Sequence, residues 1–213
     1  MKVLVGTTIG VKTEFLDRWI DCYSKFTYKD KECVISSDIK ETIDYINNRN
    51  SIIADNRNRI NTIYFDSLDG IWNGKPHALI LMGIGKEKIK NYVCRHQDID
   101  WLLLTDSDIE CPPDTIERFL SITGNIPSWD KPNVIWTENL GAVIWMQRNV
   151  AESIHFWSTI CLHYPFHHVE ENYEILRQLN HYNNCVSGFP KPFRILNYNA
   201  NWLRHRNEPY GKY

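Results

Sequence analysis

A continuous apolar run that ends in two acids constrains the fold of this chain more than any other feature. Trp101 is followed by three leucines and Thr105, and then by Asp106-Ser107-Asp108. An apolar run of this length predicts a strand that is buried on both faces, as in a parallel sheet. The aspartates then fall at the carboxyl end of that strand, where open α/β sheets bind ligands. A strand end with solvated aspartates and a helix cap is the alternative, because short acidic motifs are common.

Length and composition are typical of one globular domain. The chain has 213 residues, of which 43% are hydrophobic, and a formal net charge of −2. This length is enough to bury a substantial core in a single domain. No basic excess is present, so we expect no nucleic acid partner. The six cysteines show no C-x₂-C pairing, which argues against a zinc knuckle.

The sequence also bears on location. Nothing at the amino terminus resembles a signal peptide, because residues 1–6 are too short an apolar stretch and run into polar residues. No apolar stretch approaches the roughly 20 residues that cross a bilayer. We therefore expect a soluble, cytoplasmic protein without a transmembrane segment. Peripheral association with a membrane stays open.

Strand and helix signals alternate through the first half of the chain. We predict strands at 2–5, 32–35 and 62–65, with 6–8 as an exit turn, and helices at 14–25, after Asp38, at 86–96 and at 112–122. Pro112 and Pro113 are expected to open the last of these helices. Repeated strand–helix units predict a parallel sheet with right-handed crossovers.

The pattern becomes mixed after Gly124. We predict strands at 134–137, 142–147, 194–198 and 201–205, and helices at 150–160 and 169–179. The expected organisation is a single domain over 1–213, with a nucleotide-binding half at 1–110, a mixed half at 111–205 and an irregular tail at 206–213.

Three groups of side chains suggest chemistry. The Asp106 and Asp108 carboxylates are hard oxygen ligands that suit Mg²⁺ or Mn²⁺ bridging to phosphates. Glu170 and Glu171 open a predicted helix, where acids either stabilise the helix dipole or serve as a general base beside a cleft. His205 near the end is either a metal ligand or an ordinary packed or surface histidine. The residues alone leave these alternatives open.

Taken in order, these features resemble a known family. Asp106-Ser107-Asp108 is similar to the DxD motif of the nucleotide-diphosphate-sugar glycosyltransferases of the GT-A fold, especially the inverting family 2 group. Gly141-Ala142-Val143-Ile144, followed by Arg148 and residues 153–156, resembles the family's glycine-loop strand and the helix after it. Val169-Glu170-Glu171 resembles the family's acidic motif, whose last acid is the catalytic base. His205 resembles a late histidine of the family that binds the metal. The resemblance covers roughly residues 1–206.

The resemblance implies a fold and a set of site residues. The fold is α/β, with a mostly parallel central sheet flanked by helices and a small mixed acceptor half. Mn²⁺ or Mg²⁺ would be held by Asp106, Asp108 and His205, and the base would be Glu171 or Glu170. The donor site would be formed by Thr7, Thr8, Asp38, Lys86, Lys90, Asp106 and Gly141. Solvated surface lysines remain the alternative for Lys86 and Lys90, which share a helix face at i,i+4.

The activity implied by the resemblance is transfer of a sugar from a nucleotide-diphosphate-sugar donor to an acceptor hydroxyl on a glycan, protein or lipid, with inversion. The alternatives are a sugar nucleotidyltransferase and a non-catalytic sugar- or nucleotide-binding protein of the same fold. Gly83-Ile84-Gly85-Lys86 is not a Walker motif, because the upstream glycine and the Ser/Thr after the lysine are absent.

Overall fold

The computed structural model describes residues 1–10, 15–52, 59–72, 75–76, 78–124, 130–137, 143–156, 171–185 and 193–205. At 52, 70–72, 75–76, 79, 171–176 and 204–205, this description covers the backbone. The predicted tail at 206–213 lies outside the described residues.

Strands and helices alternate along the first half, as predicted. The strands are β1 (Lys2–Ile9), β2 (Lys31–Ser37), β3 (Ile60–Tyr64), β4 (Ile71–Trp72), β5 (Lys75–Pro76), β6 (Ile99–Thr105), β7 (Ile109–Glu110), β8 (Val134–Thr137), β9 (Val143–Gln147), β10 (Ile195–Tyr198) and β11 (Arg204–His205). The helices are α1 (Leu16–Ser24), α2 (Lys40–Ile52), α3 (Ala78–Arg95), α4 (Thr115–Thr123), α5 (Arg148–Ala151) and α6 (Glu171–Cys185). No helix in the described part of the chain is long and apolar enough to cross a bilayer.

A seven-stranded sheet in the order β10-β8-β9-β6-β1-β2-β3 forms the centre of the molecule. Strands β6, β1, β2 and β3 run parallel, and β10 runs parallel to β8. Strand β9 runs antiparallel to both of its neighbours, β6 and β8. The predicted mixed α/β architecture with a mostly parallel sheet is confirmed. The sheet takes strands from both predicted halves of the chain.

Alternating side chains of the central strands fill two separate cores. Val3 and Val5 of β1 pack on the face covered by α1, α2 and α4. Leu4 packs on the opposite face with α3, α5 and α6. The same alternation divides Trp101 from Leu102 in β6, because successive side chains of a strand point to opposite faces. Every residue from Trp101 to Thr105 is buried, as the apolar run predicts.

Strand β1 is longer than predicted. Gly6, Thr7 and Thr8 continue the strand, so the predicted exit turn at 6–8 is wrong. A Cβ atom on Gly6 would lie 2.7 Å from Cγ2 of Ile89. Glycine here therefore lets α3 pack tightly on the strand. In the sequence alone, the same glycine is indistinguishable from a turn residue.

Helix α3 begins at Ala78, eight residues before its predicted start. Gly83 and Gly85 lie inside it, although glycine disfavours a helix interior. A Cβ on Gly85 would lie 2.6 Å from Thr8 Oγ1 and 2.8 Å from Ser36 Oγ. The glycine is needed where the helix crosses the ends of β1 and β2, and this tertiary requirement outweighs local propensity.

Two other predicted helices differ from the structure. Helix α4 begins at Thr115, after Pro112 and Pro113, and the Pro112 carbonyl accepts the Thr115 hydroxyl at 2.7 Å. Helix α5 ends at Ala151, so the helix predicted at 150–160 is wrong over 152–156. Ile154 and Phe156 are fully buried there, and two side chains of α3 bind their backbone. The predicted helix at 169–179 is found at 171–185.

Candidate functional site

The candidate site lies where the order of the strands reverses. From β1 the chain proceeds to β2 and β3 on one side, whereas β6 lies on the other side. Pairing between β1 and β6 ends at Gly6 and Leu104, while β1 continues to pair with β2 as far as Ile9. The two strands therefore part at their carboxyl ends. Crevices of this kind are where open α/β sheets bind ligands.

Hydroxyl groups of β1 and β2 line this edge of the sheet. The Thr8 and Ser36 hydroxyl oxygens lie 3.0 Å apart, beneath Gly85 of α3. Thr7 is fully buried and projects to the other face of the strand. Its Oγ1 has no hydrogen-bond partner within the described part of the chain. Buried polar atoms are seldom left unpaired, so Thr7 Oγ1 is a candidate contact for a ligand.

Asp38 follows directly after β2 and has a similar environment. Its Oδ1 atom is buried without a hydrogen-bond partner among the residues described. Burial raises the pKa of the Asp38 carboxyl above its ordinary value of 3.8. A ligand N–H or O–H group that donated to this carboxylate would replace the hydration that folding removes.

Asp106 forms an ion pair with a buried lysine. Its Oδ1 lies 2.9 Å from Nζ of Lys86, which is 2% exposed on α3. The surface-lysine alternative is therefore excluded for Lys86. A fully buried ammonium requires a partner of opposite charge. The pair brings one predicted donor-binding residue to the first aspartate of Asp106-Ser107-Asp108.

The second aspartate lies beside the end of the chain. Asp108 is 6% exposed and immediately precedes β7. Strand β7 pairs antiparallel with β11, with His205 opposite Ile109 and Arg204 opposite Glu110. The backbone of His205 is thereby brought next to Asp106-Ser107-Asp108, although almost 100 residues separate them in sequence. The side chain of His205 lies outside the described part.

Lys90 is bound one helical turn away from Lys86. Its ammonium donates to Glu87 Oε1 at 2.6 Å and to the Ile154 carbonyl at 3.1 Å. Lys90 is 3% exposed, so the surface alternative is excluded for it as well. Its described contacts are with Glu87 and with residues 154–155, none of which is a predicted donor residue.

The remaining predicted site residues lie at or beyond the limits of the described structure. Glu171 is the first residue of α6, and its side chain lies outside the description. Glu170 and Gly141 also lie outside the described residues. Of the three predicted metal ligands, the structure describes the side chains of Asp106 and Asp108 and the backbone of His205. The described side chains contain no cluster of three or more His, Cys, Asp or Glu that could hold a metal.

Sequence reasoning missed two polar contacts at this edge. Ser36 contacts Thr8, and the indole N–H of Trp19 donates to Thr105 Oγ1 at 2.8 Å. Ser36 could have been found from its position at the end of a predicted strand, because it lies opposite Thr8 in the pairing of β1 with β2. Nothing in the sequence indicates that Trp19 reaches the end of β6. Its bond fixes the last residue of the strand before Asp106.

Comparison with other proteins gives structural matches only. No protein-family model and no characterised protein matches the sequence. The mannosyltransferase PcManGT from Pyrobaculum calidifontis, in complex with GDP-Man and Mn²⁺, superposes with a TM-score of 0.56 at 11% identity. The match covers 93% of this chain and 55% of PcManGT.

Two further solved structures have the same fold. An active-site mutant of LgtC gives a TM-score of 0.54 at 11% identity over 97% of this chain and 88% of LgtC. The apo-form glycosyltransferase GlyE from Streptococcus pneumoniae TIGR4 gives 0.50 at 12% identity, over 92% of this chain and 45% of GlyE. The chain has the fold of nucleotide-sugar glycosyltransferases. At these identities the similarity concerns the fold, and function must be argued from the site.

Proposed function

We propose that this protein is a metal-dependent glycosyltransferase that moves a sugar from a nucleotide-diphosphate-sugar donor to an acceptor hydroxyl, with inversion. The observation that carries the proposal is the arrangement at the carboxyl edge of the sheet. The buried Lys86–Asp106 pair, Asp108 and the backbone of His205 meet there beside the crevice between β1 and β6. The shared fold supports the proposal, since PcManGT was solved with GDP-Man and Mn²⁺.

The residues at this edge fit a divalent cation by their chemistry. Two carboxylates and an imidazole are suitable ligands for Mn²⁺, and the carboxylates suit Mg²⁺. Asp106, Asp108 and His205 would hold the ion, which when bound supplies charge neutralisation for the departing diphosphate. The proposed cofactor is therefore Mn²⁺ or Mg²⁺.

The donor would lie along the ends of β1 and β2. We assign the nucleoside to Thr7, Thr8 and Asp38, because Thr7 Oγ1 and Asp38 Oδ1 are buried acceptors without a partner among the described residues. A carboxylate at Asp38 accepts hydrogen bonds and has none to donate, which favours N–H or O–H groups of the ligand. Lys86 would contribute positive charge near the diphosphate, and the donor-site assignment of Gly141 is carried by the resemblance.

The transfer step requires a base for the acceptor. Glu171, or Glu170 next to it, would take the proton of the acceptor hydroxyl as its oxygen bonds to the anomeric carbon. The bond from that carbon to the diphosphate oxygen breaks, and its electron pair leaves with the nucleoside diphosphate. Attack opposite the leaving group inverts the anomeric centre, through an oxocarbenium-like state. The proposed halves follow this division: 1–110 holds the nucleotide and 111–205 the acceptor and base.

Turnover of a donor panel tests the proposal. We expect slow hydrolysis of one nucleotide-diphosphate-sugar in the presence of Mn²⁺, measured as release of nucleoside diphosphate. Asp108→Ala is expected to reduce the rate by at least about a thousandfold, because it removes a metal ligand worth several kcal/mol in the transition state. Asp44→Ala is the matched control, since Asp44 is an exposed carboxylate on α2.

Other outcomes separate the competing functions. Release of pyrophosphate from a nucleoside triphosphate and a sugar-1-phosphate would make the protein a nucleotidyltransferase. Donor binding without turnover across the panel would make it a binding protein. For the base, Glu171→Gln is expected to bind donor as the parent does but to lose transfer. Parent-like transfer by this variant would move the role away from Glu171.

A further inference from the structure

Four consecutive backbone groups at 154–156 are bound by side chains of two different helices. On α3, Glu87 Oε2 accepts the Phe156 N–H at 2.8 Å, and Lys90 donates to the Ile154 carbonyl at 3.1 Å. On α6, the Gln178 side chain accepts the His155 N–H at 2.9 Å and donates to the His155 carbonyl at 2.8 Å. The segment has no helix or strand of its own, so these side chains replace regular secondary structure.

The two α3 side chains of this arrangement, Glu87 and Lys90, are held together by charge. Lys90 and Glu87 form a buried ion pair at 2.6 Å, with side chains 4% and 17% exposed. Separating the two side chains would leave a buried charge without its counter-charge, which is strongly destabilising. The ion pair therefore holds both side chains in place. Ile154 and Phe156 add two fully buried anchors in the core beneath. We call Glu87, Lys90 and Gln178 the clamp.

The clamp connects the two helices that carry parts of the proposed site. Glu87 follows Lys86, whose ammonium binds Asp106. Gln178 lies seven residues after Glu171 on α6, which is about 10 Å along a helix at 1.5 Å per residue. A continuous set of contacts therefore runs from Asp106 through α3 and residues 154–156 to the helix that begins with the candidate base.

We propose that Glu87, Lys90 and Gln178 are positioning residues that hold the first turns of α6 in register with the Asp106 side of the site. This inference rests on the proposed transferase function and assigns Lys90 to the clamp instead of to the donor. Misplacing a reacting group by about 1 Å costs on the order of a hundredfold in rate. The clamp therefore affects transfer, while nucleotide binding at β1 and β2 stays independent of it.

Lys90→Met and Gln178→Leu test the proposal, with Asn180→Ala as the control on an exposed position of α6. We expect kcat to fall by about tenfold or more in the first two variants. The donor Kd, measured by calorimetry with Mn²⁺, should stay within about twofold of the parent. A rise in donor Kd with unchanged kcat for Lys90→Met would make Lys90 a donor ligand and overturn the proposal. Kinetics equal to those of Asn180→Ala would also overturn it.

Hydrogen–deuterium exchange supplies a readout that does not need turnover. Gln178→Leu should accelerate amide exchange at 154–156 and 171–178, and leave β1 and β2 unchanged. Exchange that matches the parent in both segments would refute the clamp. Lys90→Met leaves the Glu87 carboxylate without its cation, which can destabilise the fold. Gln178 is partly exposed and uncharged, so Gln178→Leu disturbs the fold less. If the parent transfers no sugar, the proposed function fails, and the exchange result alone decides the clamp.

Discussion

The central sheet has an amino edge, where its parallel strands begin, and a carboxyl edge, where they end. The two edges differ in how far the protein itself supplies partners for their polar groups. At the amino edge, the Lys2 ammonium binds Glu32 at 2.6 Å and Asp98 at 2.8 Å. Glu32 also accepts hydrogen bonds from Asn61 and from the Tyr92 hydroxyl. Here the Lys2 ammonium joins the start of β1 to the start of β2 and to the residue before β6.

At the carboxyl edge, Thr7 Oγ1 and Asp38 Oδ1 are buried without a partner among the described residues. The pKa shifts show the same difference. Hydrogen bonds to Asp98 and Glu32 raise the pKa of Lys2, and the bond from Lys2 lowers the pKa of Asp98, so both favour their charged forms. Burial raises the pKa of Asp38, which disfavours its charged form. The amino edge is stabilised by its own contacts, and the carboxyl edge has polar groups that a ligand can satisfy.

Gly85→Ala should have the largest combined effect, because it lowers both stability and donor binding. The new Cβ would meet Thr8 Oγ1 at 2.6 Å and Ser36 Oγ at 2.8 Å. Crowding in a packed site costs about 1–3 kcal/mol, against a gain of about 1 kcal/mol in helix propensity. We expect a net loss in the free energy of unfolding, measured by urea denaturation, together with weaker donor binding. Thr8→Ala in the same chain should recover part of the stability, and a fully stable single variant would show that α3 does not press on this edge.

Glu32→Gln should weaken the amino edge alone. The substitution removes the charge that Lys2 and Tyr92 bind, and hydrogen bonds to charged groups contribute about 1.5–3 kcal/mol when well buried. Because Lys2 is partly exposed, we expect a loss near the lower limit of that range. Donor affinity should equal that of the parent. A large fall in affinity would mean that the two edges are not independent.

Asp38→Asn should have the opposite signature. Removing a carboxylate whose charged form is disfavoured by burial should leave the free energy of unfolding unchanged or raise it by up to about 1 kcal/mol. Donor affinity should fall by about tenfold, the value of one hydrogen bond to a charged group. Thermal denaturation and calorimetry on the same sample measure both quantities. Parent-like donor affinity in this variant would remove Asp38 from the donor site.

The pH dependence of stability gives the smallest effect. Because the pKa of Asp38 is raised in the folded state, the folded protein binds this proton more tightly than the unfolded chain. The contribution of Asp38 is thus fully present below pH 3.8 and is lost as the pH rises through its folded-state pKa. We expect the difference in unfolding free energy between parent and Asp38→Asn to change over that window. A difference that is constant with pH would show that Asp38 is not desolvated.

Much of the fold could be predicted, because its signals are local. The strand at 101–105 and the strand at 134–137 follow from apolar runs of strand length. The start of α3 could not be predicted, since Gly83 and Gly85 together resemble a loop signal, whereas Gly85 meets a tertiary packing requirement. The end of α5 was missed for a similar reason, because helices distant in sequence bind the backbone at 154–156.

The sequence indicated which residue types form the candidate site, but it did not indicate the contacts between them. The spacing of Asp106 and Asp108 after a buried strand indicated an acidic site, and the strand containing His205 pairs next to it. That Lys86 would be buried against Asp106, while Lys90 binds Glu87, depends on how α3 packs across the sheet. The roles of all the predicted site residues stay predictions.

One measurement compares the two edges directly through the same substitution. Calorimetric titration of GDP- and UDP-sugars with Mn²⁺ should be made on the parent, Asp108→Ala at the carboxyl edge and Asp98→Ala at the amino edge. We predict that the parent binds one of these donors, that Asp108→Ala loses the metal-dependent affinity while remaining folded, and that Asp98→Ala keeps it. Equal donor affinity in Asp108→Ala and Asp98→Ala, or no binding by the parent, would contradict the assignment of the carboxyl edge as the donor site.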